Sequence, residues 1–429
     1  MDKIKNVPML RFPEFIEEWI CQSYGDKYSF FTTNSLSREK LNYKGGVVKN
    51  IHYGDIHTKF ATLFNIEKEN VPYINEEVDL SRIKKDSYCL QGDLIIADAS
   101  EDYDDIGKTI ELINTNNEKL LAGLHTFLAR PKGEKLILGF MSYLLQSWKP
   151  RKQIMTIAQG SKVLSLSTKR LSNIGLDIPH PKEQTKIAEF LSEVDKKIEL
   201  LTKKKQGLEN YKKGIMQKIF NQEIRFKDDN GNDYPDWEEK KLGDIGETYN
   251  GLTGKTKINF GEGNPYIQYK QVFNNLSIDE KQYGFVKIEI NEKQNQVQYG
   301  DILFTTSSET PIDSGMSSVF LNNQEGVYLN SFCFGFRPNS ILEVVPEFAK
   351  YLFRNDSIRR DIVKLAQGST RYNISKVQMM KISLKLPKKE EQEVIGKFIT
   401  DIENKIIGAD EEISNFQKFK KGLLQQMFV

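Results

Sequence analysis

The segment Gly254-Lys255-Thr256 has the residue types of a phosphate-binding loop, in which backbone N–H groups and one lysine hold a polyphosphate. The position that such a loop needs for its first glycine holds Tyr249, so the pattern fails. Asn264-Pro265-Tyr266-Ile267 is close to the Asn-Pro-Pro-aromatic segment of amino-methyltransferases, but it lacks the second proline. No glycine-rich loop follows a strand to take adenosylmethionine. The histidines His52, His57, His125 and His180 show no metal-ligand spacing, so no metal site is expected. Asp98 and Glu101-Asp102-Tyr103-Asp104-Asp105 form an acidic patch. A metal-dependent nuclease would need such carboxylates in pairs. The counterpart of this patch in a second copy (see below) reads Thr306-Ser307-Ser308-Glu309-Thr310, so no duplicated pair survives. No catalytic residue is assigned.

What remains is polar and aromatic loop chemistry. Tyr43-Lys44-Gly-Gly-Val-Val-Lys49-Asn50-Ile51-His52-Tyr53 interleaves bases with aromatics, and Lys255-Thr-Lys257 followed by Gln268-Tyr269-Lys270-Gln271 does likewise. These types suit phosphate contacts and base-edge hydrogen bonds, or simply a solvated loop. Gln159-Gly160-Ser161 continues as Lys162, and Gln367-Gly368-Ser369 continues as Thr370-Arg371-Tyr372. A Gly-Ser turn beside a cation could seat a phosphate or serve only as a turn. The candidate DNA contacts are therefore Lys44, Lys49, His52, Tyr53, Lys162, Lys255, Lys257, Gln268, Tyr269, Lys270, Arg371 and Tyr372.

The elements that must position these residues are duplicated. Ala158-Gln159-Gly160-Ser161 returns as Ala366-Gln367-Gly368-Ser369, and 366 − 158 is 208. The same offset maps Gly92-Asp93-Leu94 on Gly300-Asp301-Ile302, Tyr143-Leu144 on Tyr351-Leu352, Glu183-Gln184 on Glu391-Gln392 and Lys212-Lys213-Gly214 on Lys420-Lys421-Gly422. Earlier in each copy the register slips: Ile51-His52-Tyr53 meets Ile267-Gln268-Tyr269 at 216. The helical parts hold one register while the heads diverge. Residues 20–178 and 240–386 read as mixed, with strands after each Gly-Asp turn and short helices at Tyr143-Leu-Leu-Gln and Phe348-Ala-Lys-Tyr-Leu-Phe.

From Lys182 to Phe220 one apolar stripe recurs at spacings of three, four and seven. Its seam includes Ile187, Leu191, Val194, Ile198 and Leu201, and the second copy gives Ile395, Ile399, Ile402 and Ile406. Pro179, Pro181 and Pro387 precede the starts, where a missing N–H costs nothing. A helix of ~39 residues spans roughly 58 Å at 1.5 Å per residue. So narrow a stripe needs a partner helix. Helix 182–220 carries ten lysines and six acids (net +4), and 388–429 carries seven and eight (net −1), so each suits the other. An antiparallel pair brings the end of the first helix beside the start of the second, which the intervening head must join. The expected fold class is α+β: two pseudo-twofold-related α+β domains separated by a long antiparallel two-helix coiled coil.

Composition excludes little else. Lys and Arg number 61 against 59 Asp and Glu, a net charge of +2, so the total does not signal a polyanion binder. The odd, scattered Cys21, Cys89 and Cys333 read as reduced thiols. The opening MDKIKNVPMLRF has no apolar run for a signal peptide, and no stretch nears ~18 apolar residues. A cytoplasmic protein is expected.

Leu10-Arg11-Phe12-Pro13-Glu14-Phe15 with Trp19, Tyr234-Pro235-Asp236-Trp237, the two Gln-Gly-Ser turns and the paired Pro-Lys-Glu-Gln helices together resemble the specificity subunit of type I restriction–modification systems. The resemblance covers both halves. It implies target-recognition domains at 1–180 and 223–387 and spacer helices at 181–222 and 388–429. Each domain would read half of a bipartite site on double-stranded DNA. The helices would hold methylase subunits, expected to be two, and set the gap. Adenosylmethionine would belong to those subunits and ATP with Mg to restriction subunits, leaving this chain no cofactor. A stand-alone methyltransferase or nuclease, or a coiled-coil scaffold without a DNA role, are the alternatives.

Overall fold

The computed structural model describes residues 6–133 and 137–429. The first five residues of the opening segment quoted above thus lie outside the described residues. The chain forms two compact units, one running to Thr202 and taking in Glu411–Val429, the other Lys203–Asp410. Both boundaries fall inside long helices, Pro181–Phe220 and Lys389–Gln426.

In the first unit a five-stranded sheet runs in the order Tyr28–Phe31, Thr126–Pro131, Leu94–Ala97, Thr109–Asn114, Leu63–Asn65, antiparallel except for its last pair. Leu94–Ala97 is buried throughout, as expected of a central strand. A second sheet holds Leu120–Ala122, Lys49–Ile51, Tyr73–Ile74 and Leu41–Asn42. Ile20–Ser23 pairs with Gly175–Ile178 and closes the head at its base, three residues before the helix that starts at Pro181.

The second unit repeats this frame. Its main sheet runs Gly246–Asn250, Cys333–Pro338, Ile302–Thr305, Ser317–Val319, all antiparallel, without the extra parallel edge strand. Phe260–Ile267 lies between Gly284–Val286 and Tyr328–Leu329. Glu238–Lys241 pairs with Ser383–Leu386 at the base. The fold class is α+β, with the expected strands after both Gly-Asp turns and short helices at Phe140–Gln146 and Pro346–Leu352.

Each unit pairs its helical stretches antiparallel. In the second, Lys205 bonds Asp410 and Lys212 bonds Glu403, so one number rises as the other falls. In the first, Lys420 pairs with Asp195, while Lys197 lies 5.9 Å over the Phe416 ring.

The apolar stripe does more than join helices. Ile187, Leu191 and Val194 are buried in one cluster with Trp19, Phe140 and Leu144 of the head and with Leu423, Met427 and Phe428, and Ile198 packs against it. Ile395 and Ile399 likewise join Phe348, Leu352 and Ile219. Leu201 and Ile402 are buried and Ile406 is half-buried. The start of each helix is thus anchored on its own head. No helix among the described residues is long and apolar enough to cross a membrane.

Candidate nucleic-acid interface

The retained motifs build a frame. In each Gly-Asp segment the aspartate is buried and held by an arginine from the strand ending in Arg-Pro. Arg130 donates to Asp93 at 2.9 and 2.7 Å, and Arg337 to Asp301 at 2.8 and 2.6 Å. Such bidentate pairs fix geometry as well as energy. Asp93 also accepts from the Leu90 N–H and Asp301 from that of Gln298, closing the turn. Burial still holds the Asp93 carboxyl above its ordinary range, against the pull of Arg130. Arg130 stacks 4.6 Å over Phe31, and Arg337 5.0 Å over Tyr249. Tyr249, the residue that breaks the phosphate-loop pattern, is thus part of a sheet and donates to Asp301 at 2.6 Å.

The Glu-Gln motif locks head to helix. Glu183 accepts from Arg11 at 2.7 Å and from the Trp19 indole at 3.3 Å; Glu391 accepts from Arg225 at 2.9 Å and from the Trp237 indole at 3.1 Å. Gln184 donates to the Pro179 carbonyl and Gln392 to that of Pro387, both at 2.9 Å. The Arg, Trp and Glu-Gln members of the family motifs are therefore structural fasteners.

Variation is concentrated in the loops above this frame. Both Gln-Gly-Ser segments are hairpin turns: Gln159 bridges Ser165, and Ala366–Gln367 pairs with Asn373–Ile374. Gly160 and Gly368 have φ of +133° and +137°, and a Cβ there would sit 1.9 Å from the Val163 carbonyl oxygen or 2.1 Å from that of Arg371. Only glycine fits. The turns leave Lys162 and Arg371 exposed and Tyr372 half-buried. The strand Tyr372–Ile374 pairs with Ser307–Ser308, and its equivalent Leu164–Ser165 with Ala99–Ser100.

The candidate contacts divide into three groups: some engaged within the fold, some exposed, and the half-buried Tyr53, Tyr269 and Tyr372. Lys49 is tied to Glu118 at 2.7 Å, and Lys255, nearly buried, bonds the Lys287 carbonyl at 2.6 Å and Glu292. Their charges are used within the fold. His52 is buried and caps the helix Tyr53–Thr58, accepting from the Gly54 N–H at 3.1 Å; burial, aided by Arg38, lowers its pKa. Lys44, Lys162, Lys257, Gln268, Lys270 and Arg371 are exposed.

In the second head Tyr269, Lys270 and Arg371 converge on a cavity of 680 Å³, with Phe273, Phe332 and Glu309 also on its wall. The Tyr269 hydroxyl donates to the Ser307 carbonyl at 2.7 Å. In the first head Tyr53 is half-buried among three imidazoles, with ring centroids at 4.7 Å (His52), 5.8 Å (His57) and 5.3 Å (His125). His57 reaches the Ala99 carbonyl at 3.1 Å, the equivalent of Ser307 at an offset of 208. Among the described residues, no group of three or more His, Cys, Asp or Glu could hold a metal ion.

The spacing of candidate residues does not single out Phe273, Phe332 or Glu309, and it brings in His125 only among the histidines that lack metal-ligand spacing. Realigning on the Phe-x-x-Arg-Pro strands (Phe127 with Phe334, Arg130 with Arg337) would have placed His125 against Phe332.

Comparison with known proteins agrees with this frame. The sequence profile of the type I restriction modification DNA specificity domain matches residues 46–210 and again 234–415. A Methanocaldococcus jannaschii protein named for the type I restriction enzyme MjaX specificity subunit is 26% identical over 438 residues, covering 98% of this chain and 95% of the relative. The MjaVIII specificity subunit of the same organism is 23% identical over 301 residues, 66% of this chain and 68% of its own. The S subunit of a type I restriction-modification system from M. genitalium shares the fold at 15% identity, with a TM-score of 0.54 and 99% of each chain covered. With two matches that span most of its length, on two copies of one frame, the chain belongs to the family of type I restriction–modification DNA specificity subunits and carries two target-recognition domains.

Proposed function

We propose that this chain confers sequence specificity on a type I restriction–modification complex without catalysing any step itself. Each head reads one half of a bipartite site on double-stranded DNA. The long helices dock the methylase subunits, two by the duplication of the frame, and set the separation of the half-sites. Methyl transfer with adenosylmethionine belongs to those subunits, and ATP- and Mg-dependent steps to the restriction subunits.

The observation that carries this reading is the contrast between frame and loops. The Asp-Arg pair, the Glu-Arg-Trp lock and the Gly-Ser hairpin are repeated bond for bond, whereas the exposed loop residues above them differ. A duplicated holder with unlike contents suits two different words. In the second head, Lys270 and Arg371 supply phosphate or guanine contacts, Gln268 a base-edge donor and acceptor, and Tyr269 with Tyr372 flat apolar surface. Lys44, Tyr53 and Lys162 serve the first head, and Lys257 the second. A net charge of only +2 suits a chain that shares phosphate contacts with its partners.

The test is selection from random duplex DNA by the chain assembled with its methylase subunits. A bipartite enriched word with a fixed gap is expected. Salt-dependent binding with no enriched word would overturn the reading.

A further inference from the structure

We propose that His125 and Phe332 are paired specificity determinants: His125 hydrogen-bonds a base edge in one half-site, and Phe332 contacts the methyl group of a thymine in the other. The inference rests on the DNA-reading role proposed above and assigns the chemistry of one position in each word.

The two residues hold the same place in the two frames. His125 immediately precedes the strand Thr126–Pro131 and Phe332 the strand Cys333–Pro338, the strands that carry Arg130 and Arg337. The His125 carbonyl accepts from the Asp98 N–H at 3.1 Å, and the Phe332 carbonyl from that of Thr306 at 2.8 Å. The carbonyls of Asp98 and Thr306 accept in turn from Leu166 and Ile374, both at 2.9 Å. Three successive segments therefore superpose bond for bond around one side chain that changes from imidazole to phenyl. The imidazole is 50% exposed and Phe332 55% exposed. The phenyl ring is not spent on the core: it lines the cavity together with Tyr269 and Phe273, an aromatic wall open to a ligand.

The residue bonded to each carbonyl differs too: Asp98 beside His125, Thr306 beside Phe332. The His125 Nδ1 lies 3.3 Å from the Asp98 carboxylate, which orients the ring and leaves Nε2 without a partner among the described residues. Tyr53 lies edge-on to the imidazole. Opposite Phe332 the aspartate is replaced by Thr306, whose position offers no carboxylate; Tyr269, the counterpart of Tyr53, and Phe273 form the aromatic part of the cavity wall, with Lys270, Glu309, Asp313 and Arg371 forming its charged part. The thymine C5-methyl is the apolar group that the major groove presents, and an aromatic side chain is a suitable reader for it.

The experiment is random-duplex selection by the chain assembled with its methylase subunits, comparing wild type with F332H, F332L, H125F and H125N. F332H should lower the preference for thymine at one position of one half-site by about tenfold, the usual scale for one mismatched pair. F332L, still apolar, should keep it. H125F should alter one position of the other half-site only. His125 has a φ of +55°, which asparagine tolerates better than most residues. H125N therefore keeps the backbone and a hydrogen-bonding group, and should retain the word if H125F fails to assemble. Unchanged words in both F332H and H125F, or an H125N that loses binding without any change at a single position, would overturn the proposal while the bipartite wild-type word stands. Absence of a bipartite wild-type word would instead sink the DNA-reading role itself.

Discussion

The ammonium of Lys420 lies 2.6 Å from the carboxylate of Asp195. The Tyr143 hydroxyl donates to the same carboxylate at 2.8 Å. In the other unit Lys212 bonds Glu403, to which Tyr351 donates at 2.6 Å. Every member of one set is 208 residues from its counterpart, but the lysines are exchanged. Each unit takes its tyrosine and carboxylate from one copy of the repeat and its lysine from the other. These sets act as register pins for the antiparallel helical stretches. Tyr351→Phe and Lys212→Met should each lower stability, and a double-mutant cycle should give a coupling on the order of 1 kcal/mol. Additive effects in denaturant unfolding would show that the three groups do not act together.

The lock at the helix start is the more costly one to break. Glu391 is fully buried and satisfies both Arg225 and Trp237. Glu391→Ala should destabilise by about 1–3 kcal/mol, because the half-buried Arg225 guanidinium and the Trp237 indole N–H both lose their acceptor. Glu390→Ala, one residue away and exposed, should stay within about 0.5 kcal/mol. Equal effects in urea titrations would show that Glu391 does not lock helix to head.

Glu111 makes the first unit sensitive to pH. Burial raises its pKa from 4.5 to about 7, although the N–H groups of Gly139 and Ser142 pull it down. A carboxyl whose folded pKa is raised binds more protons when folded. Its contribution is fully present below about pH 4.5 and is lost as pH rises toward about 7. The unfolding midpoint should therefore fall across that window through this group, and Glu111→Gln should flatten the slope. An unaltered slope in the variant would contradict the assignment.

Gly368 ties the frame to the reading loops. Gly368→Ala would force a Cβ to within 2.1 Å of the Arg371 carbonyl oxygen. Such backbone strain costs of order 1–3 kcal/mol. The hairpin carrying Arg371 and Tyr372 should shift, and binding to one half-site should weaken while the other half-site is still selected. Selection of an unchanged word with unchanged affinity would argue against a reading role for this hairpin.

The frame was far more legible than the interface. The Gly-Asp, Gln-Gly-Ser and Glu-Gln repeats are visible because each answers a local demand: a turn, a positive φ, a strand-to-helix corner. Their partners Arg130, Arg11 and Trp19 lie from 37 to 172 positions away, and spacing cannot reveal such pairs. The same distance effect explains Lys49 and Lys255. Both sit in basic, aromatic stretches, but Glu118 and Glu292 meet them only once the loops fold. The seam at Ile187 and Leu191 reads from periodicity as a helix-to-helix contact. Its second contact, with Phe140 and Leu144 of the head, depends on how the base strands close. His125 and Phe332 escaped because the heads slip from an offset of 208 to 207 just before them.

Methylated positions are mapped for the complete complex, with the native chain and with a chimera whose residues 20–178 come from another specificity subunit. One half of the modified site should change while the other half and the gap persist. A chimera that assembles and methylates but keeps both original halves, or changes both together, would contradict the reading of one half-site by each head.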